Sequence, residues 1–267
     1  MLATQRQERI LAEVRAHGAV RVADLVAALD VSDMTVRRDI AELAGAGLVR
    51  RVHGGAVAPD TPARSTDEPG FEAKRTWASA EKAGVARAAL ADVEPGQSLA
   101  LSAGTTTWLL ASLIAADAAL RPLTVVTNGL RVADVLHGVD DVEVVLTGGT
   151  RTPSDALVGP VADATLASLR VDRAFLGVHG LDADGPTTPN LAEAATDRAL
   201  VRCAAATTLL ADHTKWGTVG LARICGFDEI DALVVDTGLS ADARAHLEAA
   251  VDRLVLADPA PVTGDAP

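Results

Sequence analysis

Val31-Ser32-Asp33-Met34-Thr35-Val36-Arg37-Arg38-Asp39-Ile40 is the stretch on which the fold of the first part of this chain turns. Ser32 has the side chain of a helix N-cap, a hydroxyl able to accept a bond from a backbone N–H that the helix leaves unpaired. Asp33 suits the positive end of the helix dipole. From there Val36, Ile40 and Leu43 recur at i, i+4, i+7 and predict an inward face, leaving Thr35, Arg37 and Arg38 outward on a helix from Asp33 to about Ala44. Working back, Asp30-Val31-Ser32 breaks a shorter helix, Val22 to Leu29, with Val22, Leu25, Val26 and Leu29 on one side. A first amphipathic helix over Gln5 to Val14 ends at His17-Gly18. Working forward, Gly45 and Gly47 close the helix, and Leu48 to Val57 reads as a short hairpin. Three helices and a β-wing fill residues 1–58.

A short helix followed by a break and an Arg-bearing helix is the pattern of a helix-turn-helix, whose second helix enters the major groove of DNA with its N-terminal residues. Outward arginines there can bond guanine O6 and N7 or grip phosphate, and which of the two does which is left open. The candidate DNA-contacting residues are Ser32, Thr35, Arg37 and Arg38 on this segment, with Arg50, Arg51 and His53 in the wing beside Gly54-Gly55. The net charge of −12 argues against nucleic acid until its distribution is considered. Residues 1–57 hold eight Arg, no Lys and seven acidic residues, and the remainder holds 16 basic and 29 acidic residues. The acid excess lies outside the reading head.

From 59 to 76 the composition turns to Pro59, Pro62, Pro69, Gly70 and polar residues, which predicts a connector. Beyond it, short β-rich runs alternate with Ala-rich helical ones. Strands are expected at Ser98–Ser102, Leu123–Thr127, Val142–Thr147, Arg173–Val178, Thr208–Asp212, Ala232–Asp236 and Leu254–Ala257. Helices are expected at Glu81–Ala91, Thr106–Ala116, Leu130–His137, Ala162–Leu169, Leu191–Ala205 and Ala241–Val251. This alternation implies a Rossmann-like α/β domain over 77–257 with a mainly parallel sheet, and Pro259, Pro261 and Pro267 mark 258–267 as a tail. Several expected strands end in polar or flexible turns. Leu101-Ser102-Ala103-Gly104-Thr105-Thr106 leads a strand through Gly into a helix start, where amides and hydroxyls favour a phosphate. Thr127-Asn128-Gly129, Thr147-Gly148-Gly149, Gly177-Val178-His179-Gly180 and Asp212-His213-Thr214-Lys215 fall at corresponding places, and in open α/β sheets ligands collect at the carboxyl ends of strands.

Several motifs taken together resemble the DeoR-type bacterial transcriptional regulators. They are Gln5-Arg6-Gln7-Glu8-Arg9-Ile10-Leu11, Thr35-Val36-Arg37-Arg38-Asp39-Ile40 and Arg51-Val52-His53-Gly54-Gly55-Ala56, followed by the strand-end turns. The resemblance covers roughly residues 4–255. It implies a winged helix-turn-helix joined to an effector domain similar in fold to ribose-5-phosphate isomerase. It further implies repression of a carbohydrate operon, relieved by a phosphorylated sugar. On it, Gly104, Thr105 and Thr106, then Asn128, then Gly148 and Gly149, then Asp212 and Lys215 are the effector-binding candidates. Ser102 stands where the family often has Asp, and Asp197 where Lys is common after Glu193.

The expected partners are double-stranded operator DNA, a phosphorylated sugar and further copies of the chain, as a dimer or tetramer. No cofactor is implied. Cys203 and Cys225 are isolated and read as core residues, and the six histidines form no metal-binding cluster. No apolar run reaches the length needed to span a bilayer, so a soluble, cytoplasmic protein is expected. An isomerase would need a general base. Asp182 and Asp184 fall in a Gly/Pro loop, which leaves Glu193 the one candidate and an enzyme the lesser reading.

Overall fold

The computed structural model describes residues 3–17, 19–29, 31–52, 55–57, 63–64 and 70–260. Contacts divide the chain into two compact units, Met1–Asp67 and Glu68–Pro267.

In the first unit, helices Ala3–His17, Val22–Leu29 and Asp33–Gly45 close around Ile10, Val14, Val22, Leu25, Leu29, Val36, Ile40 and Leu43, with Val49 and Ala56. The inward face expected of the third helix is the buried one. Ser32 is its N-cap, with Oγ accepting from Thr35 N at 3.2 Å. Gly47, at φ 69°, turns the chain back, and Leu48 N donates to Leu43 O at 3.0 Å. The wing strands Arg50–Val52 and Gly55–Val57 pair antiparallel, and a third strand, Ala19–Arg21, joins Gly55–Val57. That strand was not expected, because three residues are too few to show a period.

The second unit is a seven-stranded parallel sheet. In spatial order its strands are Arg253–Ala257, Ala232–Asp236, Ala204–Ala211, Val171–Gly177, Ser98–Leu101, Leu123–Thr127 and Val142–Leu146. Side chains alternate between faces. Leu99, Leu101, Phe175, Leu210 and Val234 pack under helices Ser79–Leu90, Thr105–Ala116 and Leu130–Leu136. Ala100, Ala174, Leu176, Leu209 and Leu233 pack under Pro160–Ala167, Leu191–Cys203 and Ala241–Ala250. Counted along the chain the strand order is 3-2-1-4-5-6-7, so the sheet reverses direction between Ser98–Leu101 and Val171–Gly177.

Three expectations need correcting. Residues 59–76 are not all connector, because Phe71–Arg75 form a helix of the second unit, with Phe71 buried and its ring edge-on to Trp108 at 5.9 Å. Asp258–Ala260 are not a free tail. Ala260 N donates to Ala80 O at 2.8 Å, and Asp258 O lies so close to Gly84 that a Cβ there would stand 2.2 Å from it. Finally, the strand expected to start at Thr208 starts at Ala204, because Ala204 and Ala206 pair with Val171 and Arg173. Alanine has little strand preference of its own, and here the neighbouring strand decides.

Candidate functional site

The reading head presents two unlike sets of charges. Arg37 and Arg38 are exposed on the third helix, where Arg37 pairs with Asp33 one turn back and Arg38 Nε lies 3.3 Å from Glu42 Oε1. Exposed i,i+4 pairs of this kind are worth only about 0.3–0.5 kcal/mol, so both guanidiniums are readily given up to a stronger acceptor. Met34, 75% exposed, stands in the first turn beside Ser32 and Thr35. Asp39 is different. Although it sits next to the arginine pair, it is buried and accepts from Arg6 Nε and Nη2 at 2.6 and 3.0 Å. That hydrogen bond raises the Arg6 pKa further above its ordinary value, against the effect of burial. Asp39 therefore holds the first helix to the third. Arg50 and Arg51 lie in the wing strand Arg50–Val52. Their side chains, and His53 altogether, lie outside the described residues.

In the second unit the reversal point of the sheet opens into a cleft lined by Ala103, Gly104, Thr105 and Thr106 from one strand end and by Gly177, Val178 and His179 from the other. Gly104, at φ 148°, lets the chain turn directly into helix Thr105–Ala116, whose free amides face this end. Into the same cleft come Lys74, Lys82 and Lys215, which are all the lysines of the chain. Carboxylates enter it from Glu193 and Asp197 on helix Leu191–Cys203. Glu193 Oε1 accepts from Thr152 Oγ1 at 2.7 Å and from Ser154, and its Oε2 from Thr188 Oγ1 at 3.4 Å. Three hydroxyls thus fix the carboxylate before any ligand arrives.

Lys82 is buried to 2% exposure, with Nζ donating to Lys74 O at 2.7 Å. Burial, then the nearby Lys215 ammonium, bring its pKa down from 10.5 to about 8. Asp212 is equally buried, and its Oδ1 is occupied by the amide and hydroxyl of Thr214. Its Oδ2, without a hydrogen bond among the described residues, lies 4.0 Å from Lys215 Nζ. Next to it, His213 Nδ1 meets Asp236 Oδ2 at 2.7 Å, a bond that raises the His213 pKa. Burial works to raise the Asp236 carboxyl, but the His213 ring, the His213 amide and the Gly238 amide outweigh it and leave that pKa lowered.

The cleft thus brings together Gly104, Thr105, Thr106 and Lys215, with Asp212 beside Lys215. Asn128, Gly148 and Gly149 are not among its lining. Asn128 is buried, with Oδ1 accepting from Ala103 N at 2.9 Å and Nδ2 donating to Leu157 O at 3.2 Å, so it shapes the Ala103 turn from behind. Gly148 and Gly149, at φ 72° and 123°, carry the chain into the hairpin of Thr150–Arg151 and Leu157–Val158, where a Cβ on Gly149 would stand 2.6 Å from Val158 O. Ser102 is also structural, accepting from Gly177 N at 2.9 Å. The sequence reading missed Lys74, Lys82, Ser154, Thr188 and Phe71 as cleft residues, and it took Glu193 only as a possible base. Lysine is scarce in the chain, three among 24 basic residues, but nothing in the spacing of Lys74 and Lys82 marks them for a cleft.

A family model described as the DeoR-like helix-turn-helix domain matches residues 6–62, and one described as the DeoR C terminal sensor domain matches residues 77–237. The chain is 34% identical to a putative aga operon transcriptional repressor of Escherichia coli O157:H7, over 95% of this chain and 93% of that one. It is 36% identical to the HTH-type transcriptional regulator GlpR of Haloferax volcanii, over 94% and 96%. To the glycerol-3-phosphate regulon repressor of Escherichia coli K12 it is 32% identical, over 88% and 92%. Among solved structures, ribose 5-phosphate isomerase A from Methanocaldococcus jannaschii aligns with a TM-score of 0.37 at 15% identity, over 51% of this chain and 53% of that one.

Proposed function

Because this chain belongs to the DeoR family of helix-turn-helix transcriptional regulators, we propose that it represses a sugar-catabolic operon and is released from operator DNA by a phosphorylated sugar bound in the lysine-lined cleft. The observation that carries the effector reading is the meeting of three lysines and a helix N-terminus with a carboxylate already fixed by hydroxyls. Ammonium groups and free helix amides favour an anion of the size of phosphate. The held carboxylate of Glu193 accepts from hydroxyl groups, and a phosphorylated polyol offers both features at once. In the reading head, Thr35, Arg37 and Arg38 contact the major groove and Arg50, Arg51 and His53 the flanking backbone.

Coupling requires that the ligand prefer the form that fits DNA less well. Phe71 and Lys74, which line the cleft, stand on the first helix after the connector, so a ligand touching them acts on the chain next in sequence to the reading head. A symmetric homo-oligomer in the cytoplasm would present two heads to half-sites about 34–36 Å apart, or a multiple of that spacing. No described helix is long and apolar enough to cross a membrane.

The test starts from duplexes selected by the protein out of a random pool, whose binding is then measured with and without each member of a sugar-phosphate panel. One member is expected to weaken operator binding by about 5–150-fold, the range of ordinary allosteric coupling. Selection of no consensus would refute the reading head, and operator affinity indifferent to every phosphate would refute the effector.

A further inference from the structure

We propose that Lys82 is a covalent sensing site, forming a reversible imine with the carbonyl of an open-chain phosphorylated aldose or ketose held in the cleft. The proposal rests on the reading of that cleft as a phosphorylated-sugar site, and adds to it a chemical requirement, a carbonyl group.

Three features of geometry support it. Lys82 lines the same cleft as the helix start Gly104–Thr106. It is the most buried lysine there, at 2% exposure against 17% for the side chain of Lys215, so Lys215 and Lys74 are the better placed of the three to take a mobile anion. Its amine is also fixed, because the bond to Lys74 O at 2.7 Å holds Nζ in one place. A fixed amine among cations and out of water is the setting in which lysine acts as a nucleophile. The charged groups around it are Lys215 and Lys74, which together with burial favour its neutral form, and Asp212 and Glu81, which oppose them. The outcome is a pKa of about 8, and near neutral pH this leaves about 300 times more free amine than an ordinary lysine at 10.5.

The step balances without any redox partner. The Nζ lone pair attacks the carbonyl carbon, the C=O π electrons move to oxygen, and one of the two nitrogen protons passes to that oxygen to give a carbinolamine. The nitrogen lone pair then forms the C=N bond as the C–O bond breaks, the second nitrogen proton passes to the departing hydroxyl, and one water leaves. Addition of water reverses each step, as a sensor requires.

The experiment treats the full-length protein with glyceraldehyde 3-phosphate and sodium borohydride, which reduces an imine to a stable secondary amine, and maps the adduct by peptide mass spectrometry. Binding of the probe is followed in parallel by thermal shift. One adduct per chain is expected at Lys82, at least tenfold above Lys74 and Lys215. It should be absent from both Lys82→Arg and Lys82→Met. Glycerol 3-phosphate, which lacks a carbonyl, should raise the melting temperature, leave no adduct and suppress the adduct of the aldehyde. A thermal shift with both phosphates and no Lys82 adduct, or an adduct spread over the other lysines, overturns the imine while leaving the sugar-phosphate cleft standing. No shift and no adduct with either probe overturns both.

Discussion

Replacing Lys82 with Met tests the electrostatics of the cleft without any ligand. In the folded chain burial and Lys215 bring the Lys82 pKa to about 8, against 10.5 for an ordinary lysine. At neutral pH both the folded and the unfolded chain carry the charge, and the folded one holds it at a disadvantage of about 3 kcal/mol, at about 1.4 kcal/mol for each pH unit. Between pH 8 and 10.5 the unfolded chain binds the proton more tightly than the folded one, so this contribution to stability rises with pH and is complete above 10.5. Lys82→Met removes the penalty but also the charge-assisted bond that Nζ donates to Lys74 O, which keeps its bond from Trp77 N at 3.2 Å, a loss of about 1–3 kcal/mol. At pH 7 the variant is therefore expected to fold and to be as stable as the parent or up to about 2 kcal/mol more stable. The decisive quantity is parent stability minus variant stability, which should climb by about 3 kcal/mol from pH 8 to 10.5. Other groups cancel in that difference. In the parent alone the climb is masked above pH 9, because burial raises the thiols of Cys203 and Cys225, the latter to about 12, from a usual 9.0, and their contribution is lost as pH rises. Tryptophan emission during urea unfolding is the assay. Trp77, Trp108 and Trp216 all lie in the second unit and the chain has no tyrosine, so the signal reports that unit alone. A difference that stays flat from pH 8 to 10.5 would refute the account of Lys82.

Arg37→Ala and Arg38→Ala each give up only a weak exposed pair and should leave the melting temperature within about a degree, yet weaken operator binding by about 5–150-fold, as fluorescence anisotropy would read. Of the two, the one that reads a base relaxes sequence preference, and the one on phosphate lowers the salt slope by about one. Lys215→Ala should weaken the response to the effector at least tenfold with operator affinity unchanged, and an unaltered induction curve would remove Lys215 from the site. For His213 and Asp236 the sign runs two ways. The raised His213 pKa contributes stability that is full below 6.5 and lost as pH climbs through it, while the lowered Asp236 pKa contributes above 3.8 and is lost in acid. Asp236→Asn should therefore cost most between pH 3.8 and 6.5 and progressively less above that window, with the His213 ring titrating lower by NMR.

The sheet was legible because each strand carries its own local pattern of apolar runs cut by Gly and Pro, and all seven expected strands appear in one sheet. Ser32 could be recognised as a cap for the same local reason. Asp39 could not, because its partner Arg6 stands 33 residues away and no spacing rule links them. The cleft shows the same division. Gly104, Thr105 and Thr106 carry a local signature, strand then Gly then hydroxyls, and they do line the cleft. Asn128, Gly148 and Gly149 carry similar signatures at other strand ends, but the chemistry of a turn does not say whether it faces a ligand or braces one that does. Lys82 and Lys74 precede the first strand of the sheet, where the strand-end rule has nothing to say, and only folding brings them to the site.

The near-neutral reading head and the acidic remainder together limit how this molecule can bind DNA. Net attraction to phosphate is small in the head and opposed by the rest of the chain, so binding cannot rest on bulk charge and must fall on a few guanidiniums in fixed positions. Arg6, half-buried and paired with the buried Asp39, is already committed to holding the first helix to the third. Arg37 and Arg38 are held only loosely, by pairs on their own helix that a phosphate or a guanine edge outcompetes. With so little non-specific attraction behind it, the complex depends on register. Under the function proposed above, a ligand-bound form that fits the operator only modestly less well would then suffice to lose it, with a coupling of about 1–3 kcal/mol.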